Sequence, residues 1–312
     1  IGYGKRRYMR LSVAHPQTGV DKVQAGEGLD MPYTGKGIII GDVDQGFDPA
    51  HPFFLDKDGN TRVTMYYLKA RSITDPAAIV AAGVDQTSTY HGSHVIGIAA
   101  GNYQGDDFSI SGVAPEADIA MAAYSQGYDS ELITIIEKLV NFAAEQKKPL
   151  VINLSLGDNA GPHDDSDQLT QYLNKVVDDN AAVVCIAAGN EGTYPIVQKK
   201  TFASDTDEMT AYLYEDADMV SYYGYNPSCS LWAKGTEPFN VSFVLYNTST
   251  KKILKRYEPD VNMLKSSGST ADEDFSKYFS GTLRMTRKAN ETTGKYGVDI
   301  KFSGTRLVSS VV

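Results

Sequence analysis

The sequence has few cysteines and no long apolar run. Its two cysteines, Cys185 and Cys229, are too few for a disulfide framework in a chain of 312 residues. Cys185 falls within the apolar run 181–188 and is expected to be a small buried hydrophobic residue, although a Cys185–Cys229 bridge stays an open alternative. No apolar run approaches the roughly 18 residues of a membrane-spanning helix, so no membrane span is predicted.

The sequence has no excess of basic residues. Lys and Arg number 29 against 39 Asp and Glu, which gives a formal net charge of −10. Nucleic-acid binding needs clustered Lys and Arg, so we expect no nucleic-acid partner. The chain opens at Ile1 without Met or a signal peptide, and the basic residues 5–7 indicate either an ordinary N-terminal arm or the end of a propeptide.

Strand-like and helix-like segments alternate before residue 190. Short apolar runs predict buried strands, whereas apolar residues at i, i+3, i+4 and i+7 predict amphipathic helices. The predicted strands are 37–43, 118–123, 150–154 and 181–188. The predicted helices are 91–101, 129–147 and 167–179, with N-cap residues at 164–167. This alternation predicts a doubly wound, mostly parallel α/β sheet with helices on both faces.

The amino-acid composition changes after residue 192. The segment 193–312 is rich in Tyr, Thr, Ser and Val and has no long helical period. Short alternating segments predict strands at 239–247, 251–257, 282–287 and 296–303. We therefore expect a β-rich region of the sandwich or jelly-roll kind, with the α/β region at 31–192 and an N-terminal arm at 1–30.

Three polar motifs follow predicted strands or open a predicted helix. Asp44 lies at the end of a strand, where sites form in open α/β folds, although a simple turn explains it equally well. His91 is the first residue of a predicted helix that contains several glycines. It could act as a general base, and the alternative is a histidine that caps the helix or lies in the core. His91 and His94 form an i, i+3 pair, which is a weak metal signal without a nearby acidic ligand.

The third motif is AAGNEG at 187–192. Its Asn190 follows a strand between small residues and could donate its side-chain amide to an oxyanion, or simply end the strand in a turn. The three motifs together indicate a function more specifically than any one of them does, because Asp44, His91 and Asn190 occur in that order near strand ends. The order Asp, then His, matches one of the three known chain orders of Ser-His-Asp enzymes.

These motifs resemble those of the subtilisin family of serine proteases. The segment 35–52 resembles the family's aspartate motif, and HGSHVIGIAAG at 91–101 resembles its histidine motif, with Ser93 where Thr is usual. The segment 112–117 resembles the family's segment before the strand that follows the histidine helix. The segment 155–157 resembles its substrate-binding segment, and 187–192 resembles its oxyanion motif. The resemblance covers roughly residues 30–192.

The resemblance implies peptide-bond hydrolysis without a cofactor. Asp44 would orient the imidazole of His91, which would act as general base, and Asn190 would donate to the oxyanion. The backbone of Ser155, Leu156 and Gly157 would pair with an extended polypeptide substrate. Ala188 and Gly189 would help to line the pocket for the substrate side chain before the scissile bond. The family also implies a secreted or cell-surface location.

The family's Gly-Thr-Ser motif, which carries the nucleophile, is absent from these 312 residues. The nearest match is SGTR at 303–306, with Arg306 where Ser should stand. We expect the serine to lie beyond this chain, so that the full-length protein is active and this chain alone is not. The alternative is an inactive protease-like scaffold whose β-rich region binds a partner. The sequence does not indicate an oligomeric state.

Two departures from the family pattern and one acidic loop carry further expectations. Gln45 replaces the usual Ser or Thr after Asp44, and Asp42 stands where an apolar strand residue is typical. A buried, unpaired carboxylate is costly, so Asp42 should either pair with another group or raise the pKa of Asp44. Asp106 and Asp107 lie where some family members bind calcium; a calcium site is conceivable there, but a solvated acidic loop is the simpler expectation.

Overall fold

A six-stranded sheet forms the centre of one of two compact units in the computed structural model. The structure describes residues 10–105, 109–179, 181–193, 196–212, 227–257, 268–270, 273–289, 293–307 and 309–311. The first unit comprises residues 1–157 and 171–189, and the second comprises residues 158–170 and 190–312. Two sequence expectations, the basic residues 5–7 and the calcium candidates Asp106 and Asp107, lie outside the described residues.

The central sheet of the first unit is mostly parallel, as the sequence predicts. Its strands are β1 (Ile39–Asp44), β2 (Val63–Leu68), β3 (Arg71–Ile73), β6 (Asp118–Ala123), β7 (Leu150–Leu154) and β8 (Val183–Ile186). A separate hairpin contains β4 (Asn102–Gln104) and β5 (Ser109–Ser111). The spatial order is β3-β2-β6-β1-β7-β8, and only the edge strand β3 is antiparallel to its neighbour.

The first unit has six described helices, and this group includes helices on each face of the sheet. They are α1 (Arg10–Thr18), α2 (Val20–Ala25), α3 (Pro76–Ala82), α4 (His91–Ala100), α5 (Asp129–Gln146) and α6 (Gln168–Asp178), the last of which begins in the second unit's segment. A short 3₁₀ helix spans Pro52–Phe54. No described helix combines the length and apolar character that crossing a membrane requires.

Alternation along β1 separates a packing face from a polar face. Every residue of β1 is buried, because β6 and β7 flank it on both sides. Gly41 faces α5, since a Cβ atom there would lie 3.1 Å from Leu139. Asp42 and Asp44 point to the opposite face, where Ile40 joins the apolar cluster that includes Ile96 of α4. The two carboxyl groups therefore share the α4 side of the sheet.

The edge strand β8 differs from what its composition indicates. Val183 and Ile186 are 61% and 60% exposed, and Cys185 is an exposed free thiol. The expectation that Cys185 is buried is therefore wrong, and Cys229 is also free, so the bridge does not form. β8 is the last strand in the described order, so one of its edges has no neighbouring strand among the described residues.

The second unit consists mainly of antiparallel strands. Those that the structure describes are β9 (Ser228–Trp232), β10 (Phe243–Asn247), β11 (Lys252–Tyr257), β12 (Gly268–Thr270), β13 (Phe279–Ala289) and β14 (Tyr296–Arg306), and a short helix, α7 (Glu273–Ser276), is described with them. β12-β13-β14-β9 form one sheet and β10-β11 another. Leu245 of β10 shares a buried apolar cluster with Leu283 and Val298 of the larger sheet. Two layers thus enclose one core, as expected of a sandwich-like region.

Candidate active site

A buried carboxylate and a half-exposed imidazole meet at the carboxyl end of β1. Asp44 is the last residue of β1 and His91 is the first residue of α4. His91 Nδ1 lies 2.7 Å from Oδ2 and 2.9 Å from Oδ1 of Asp44. The side chains are 5% exposed for Asp44 and 51% exposed for His91. Because a carboxylate only accepts hydrogen bonds, Nδ1 carries the proton and Nε2 keeps its lone pair as a potential base.

The backbone after β1 caps α4 and thereby fixes this pair. The N-cap residue of α4, Tyr90, makes no side-chain capping bond. The first amides of the helix instead donate to the loop after Asp44, Gly92 N to Gln45 O at 2.7 Å and Ser93 N to Gly46 O at 3.1 Å. Since the first N–H groups of a helix lack partners within the helix, these bonds lock the position of His91 relative to Asp44.

Two glycines permit this close approach of loop and helix. Gly46 has φ of +82°, and a Cβ atom there would lie 2.3 Å from the Thr89 carbonyl oxygen. A Cβ atom on Gly92 would lie 2.7 Å from the Phe47 ring. Larger residues would push the loop away from the helix, so the glycines serve the geometry of Asp44 and His91.

Two further side chains hold the loop that follows Asp44. The Asp85 carboxylate accepts hydrogen bonds from the backbone amides of Gly46 and Phe47. Ser93 Oγ donates to the Gly46 carbonyl at 2.9 Å and accepts from Asp48 N at 2.7 Å. The Ser that replaces the family's Thr therefore keeps both hydrogen bonds of a hydroxyl group at this position.

An open cavity of about 340 Å³ adjoins the pair. Its lining includes Asp44 and His91 together with three residues predicted to bind substrate: Ser155, Leu156 and Gly157. Gly157 has open space where a Cβ atom would stand. Gln45, Thr89 and Tyr124 complete the lining. The structure thus brings five of the eight predicted site residues to one cavity of the first unit.

The remaining three predicted residues follow β8. Ala188 and Gly189 are exposed and are not among the lining residues of this cavity. Asn190 is exposed, and its backbone amide donates to the Glu191 carboxylate at 2.9 Å. Asn190 belongs to the second unit, whereas Asp44 and His91 belong to the first. The roles of these three residues stay predictions.

A second polar layer lies one step deeper on the same face of β1. Asp42 is completely buried, and its Oδ1 accepts a hydrogen bond from Asn153 Nδ2 at 2.9 Å. The same Nδ2 donates to Ser155 Oγ at 2.9 Å, whereas Asp42 Oδ2 has no hydrogen-bond partner among the described residues. Burial raises the pKa of Asp42 to about 8, partly offset by the Asn153 hydrogen bond and reinforced by the charge of Asp44. The hydrogen bond from Asn153 agrees with the sequence expectation that Asp42 pairs with another group.

Several site residues had no strong signal in the sequence. Gln45 Nε2 donates to the Tyr124 carbonyl at 3.1 Å and joins the end of β1 to the loop after β6. Burial raises the pKa of Tyr124, and the charges of Asp44 and Glu131 add to this. The contributions of Asp85 and Asn153 depend on partners distant in sequence, which only the fold brings together.

The metal alternative for His91 and His94 finds no support in the described part of the chain. Within it, no group of three or more His, Cys, Asp or Glu side chains is placed to hold a metal ion. Nδ1 of His91 instead contacts Asp44.

Comparison with known proteins agrees with this architecture. The model of the subtilase family matches residues 35–282. The PII-type proteinase of Lacticaseibacillus paracasei is 26% identical over 298 residues, which cover 85% of this chain and 15% of that protein. The minor extracellular protease Vpr of Bacillus subtilis (strain 168) is 30% identical over 141 residues, which cover 44% of this chain and 16% of that protein.

A solved structure shares the fold over nearly the whole chain. The CspB protease of Clostridium perfringens superposes with a TM-score of 0.62 and 22% identity, covering 94% of this chain and 60% of that one. At this identity the likeness establishes the fold alone. The chain spans 60% of that structure and about a sixth of the two relatives' length.

Proposed function

The chain belongs to the subtilase family, and from this premise we propose that it is the part of a serine endopeptidase that carries the Asp and His of the catalytic triad. The most direct support is the 2.7 Å contact between His91 Nδ1 and Asp44 Oδ2 at the rim of an open cavity. The nucleophilic serine is proposed to lie outside residues 1–312, since no Gly-Thr-Ser motif occurs within them.

The proposed chemistry is acyl transfer by general acid–base and nucleophilic catalysis. Nε2 of His91 takes the hydroxyl proton of the serine as its oxygen attacks the peptide carbonyl, and then donates that proton to the leaving amine. Asp44 keeps Nδ1 protonated and stabilises the imidazolium that forms. Its burial supports this role, because a charge interaction is stronger where water is excluded.

Substrate binding and oxyanion stabilisation are assigned to the residues that the sequence motifs indicate. An extended polypeptide is proposed to pair with the backbone of Ser155, Leu156 and Gly157, which is supported by their position beside His91. Asn190 is proposed to donate its side-chain amide to the oxyanion, and Ala188 and Gly189 to line the pocket for the preceding side chain. For these three residues the support is the motif alone.

The reaction as proposed uses no cofactor, and calcium near Asp106 and Asp107 stays a prediction. We propose a secreted or cell-surface location, supported by the name of the Bacillus subtilis relative, an extracellular protease. The predicted absence of a nucleic-acid partner rests on the net charge of −10.

The test compares the full-length protein with three variants in the hydrolysis of fluorophore-labelled casein. His91→Ala and Asp44→Asn are expected to lower the rate by about 10⁴-fold, because each removes the working form of the base. His94→Ala is the matched control. It lies on the same helix and is exposed, so its rate should stay within about twofold of the wild type.

The 312-residue chain by itself is expected to fold without cleaving casein. Cleavage by this chain that His91→Ala abolishes would refute the placement of the serine elsewhere. A full-length protein that neither cleaves casein nor reacts with a fluorophosphonate probe would instead favour the inactive scaffold, with the β-rich residues 193–312 as its partner-binding part.

A further inference from the structure

The layer beneath the dyad contains a carboxyl group that the proposed mechanism does not use. Asp42 is completely buried at the centre of the sheet, two residues before Asp44 and on the same face of β1. Its register partners are Met121 on β6 and Asn153 on β7. An uncompensated carboxylate in such a position is strongly unfavourable, so its presence calls for a physical role.

The Asn153 carboxamide connects Asp42 to the cavity. Its two Nδ2 hydrogens have two acceptors, Asp42 Oδ1 at 2.9 Å and Ser155 Oγ at 2.9 Å. Ser155 in turn lines the cavity that contains Asp44 and His91. An unbroken hydrogen-bonded chain thus runs from the core of the sheet to the predicted peptide-binding segment.

The direction of these hydrogen bonds depends on residue 42. An Asn side chain has a donor end and an acceptor end of nearly the same shape, and its neighbours decide which way it points. An acceptor at Asp42 favours the Nδ2 end on the side of Asp42 and Ser155. Ser155 Oγ is then the acceptor, and its own hydrogen remains available to donate elsewhere. With the amide reversed, the Ser155 hydroxyl would donate to Asn153.

We propose that Asp42 is a positioning residue of the peptide-binding edge: its carboxyl group orients the Asn153 carboxamide, which in turn holds the Ser155 hydroxyl as an acceptor beside Asp44 and His91. That Ser155 serves a bound peptide rests on the function proposed above. The hydrogen-bonded chain itself does not depend on it.

The neutral form of Asp42 suits this role. Burial raises the pKa of the group to about 8, so the protonated carboxyl group is the main form at neutral pH. Its carbonyl oxygen still accepts from Asn153 in this form. Asp44 is the ionisable group whose negative charge reinforces the effect, because Met121 and Asn153 on the flanking strands carry no charge.

Two substitutions separate positioning from burial. Asp42→Asn keeps the shape and the Oδ1 acceptor in a form that stays neutral at every pH. Asp42→Val introduces an apolar strand residue of the kind usual at this position in the family. It removes the oxygen that accepts the hydrogen bond from Asn153. We expect Asp42→Asn to preserve the orientation of Asn153 and Asp42→Val to lose it.

The first readout is the NMR signal of the Asn153 side-chain amide, which requires no catalysis. In the wild type and Asp42→Asn both Nδ2 hydrogens should exchange slowly with solvent, whereas in Asp42→Val exchange should be about tenfold faster or more. In the wild type these signals should also shift as the pH is raised through 8, and in Asp42→Asn they should not. This second comparison remains decisive if Asp42→Val does not fold.

The second readout is casein hydrolysis by the full-length protein. We expect Asp42→Asn to act within about twofold of the wild type at pH 7, and Asp42→Val to lose about tenfold or more in kcat/KM. Asn153 signals that are the same in all three proteins at every pH would overturn the proposal, as would full activity of Asp42→Val. If the Asn153 signals behave as expected but no variant or wild type cleaves casein, the proposed function fails and the orienting role of Asp42 stands.

Discussion

The buried carboxyl group of Asp42 should make the first unit less stable as the pH rises from 5 to 7. The pKa of this group is about 8 in the folded protein, against an ordinary value of 3.8. Between these values the folded state holds a proton that the unfolded state releases. Stability therefore falls with rising pH across this range, in contrast to the usual behaviour of a carboxylate stabilised by a salt bridge.

The size of the effect follows from the same two values. Each pH unit between the two pKa values changes the free energy of unfolding by about 1.4 kcal/mol per group. From pH 5 to pH 7 the Asp42 carboxyl group should remove about 2–3 kcal/mol of stability. Asp42→Asn does not titrate, so its stability relative to the wild type should increase by that amount over the same interval. A constant offset between the two proteins cancels in this comparison.

The assay uses urea unfolding of the 312-residue chain at pH 5 and pH 7. Circular dichroism at 222 nm follows mainly the helices α1–α6, whereas the only tryptophan, Trp232, lies on β9 in the second unit and reports that unit by its fluorescence. The control is Asp58→Asn, at an exposed loop carboxylate. A stability difference between Asp42→Asn and the wild type that is the same at both pH values would refute the reasoning.

Two further predictions concern other carboxylates. Glu131 accepts hydrogen bonds from the backbone amides of Ser125, Gln126 and Gly127, each at 2.8 Å, so Glu131→Gln should speed amide exchange at these residues about tenfold while Glu137→Gln, on the same helix, leaves it unchanged. Equal exchange in both variants would contradict this. In the second unit, a hydrogen bond from Lys295 lowers the pKa of Asp164 to about 2. The ionised Asp164 side chain therefore stabilises the folded second unit above pH 4, and this stabilisation is lost as the pH falls towards 2. Since the Asp164 side chain is about a third exposed, we expect a loss of about 1 kcal/mol or less, which Lys295→Ala should abolish in acid unfolding followed by Trp232 fluorescence. An unchanged acid transition would count against the pair.

Much of the first unit could be predicted because its local patterns and its fold agree. The strands at 118–123 and 150–154 have the predicted bounds, and α5 ends one residue before the predicted end. Buried parallel strands appear as short apolar runs, and helices that cover them show a regular apolar face. Both signals are contained in a few consecutive residues, so they need no knowledge of the sheet order.

Other features depend on which strands become neighbours, and local patterns do not contain that information. The apolar run at β8 is typical of a buried strand, yet Cys185 is exposed and β8 lies at the edge of the described sheet. The partner of Asp42 is 111 residues away, and only the parallel register of β1 and β7 places Asn153 opposite it. For the candidate site, motif order identified Asp44 and His91, whereas the loop anchors Asp85 and Ser93 required the folded backbone.

The two aspartates of β1 illustrate how one strand can supply two carboxyl groups with opposite tasks. Asp44 lies at the carboxyl end of β1, where it accepts a hydrogen bond from Gln45 N and contacts His91. Asp42 lies one layer deeper, where burial favours the protonated form and the hydrogen bond from Asn153 offsets this only in part. Because burial favours the protonated form of Asp42, Asp44 is the aspartate of β1 that supplies a carboxylate to His91.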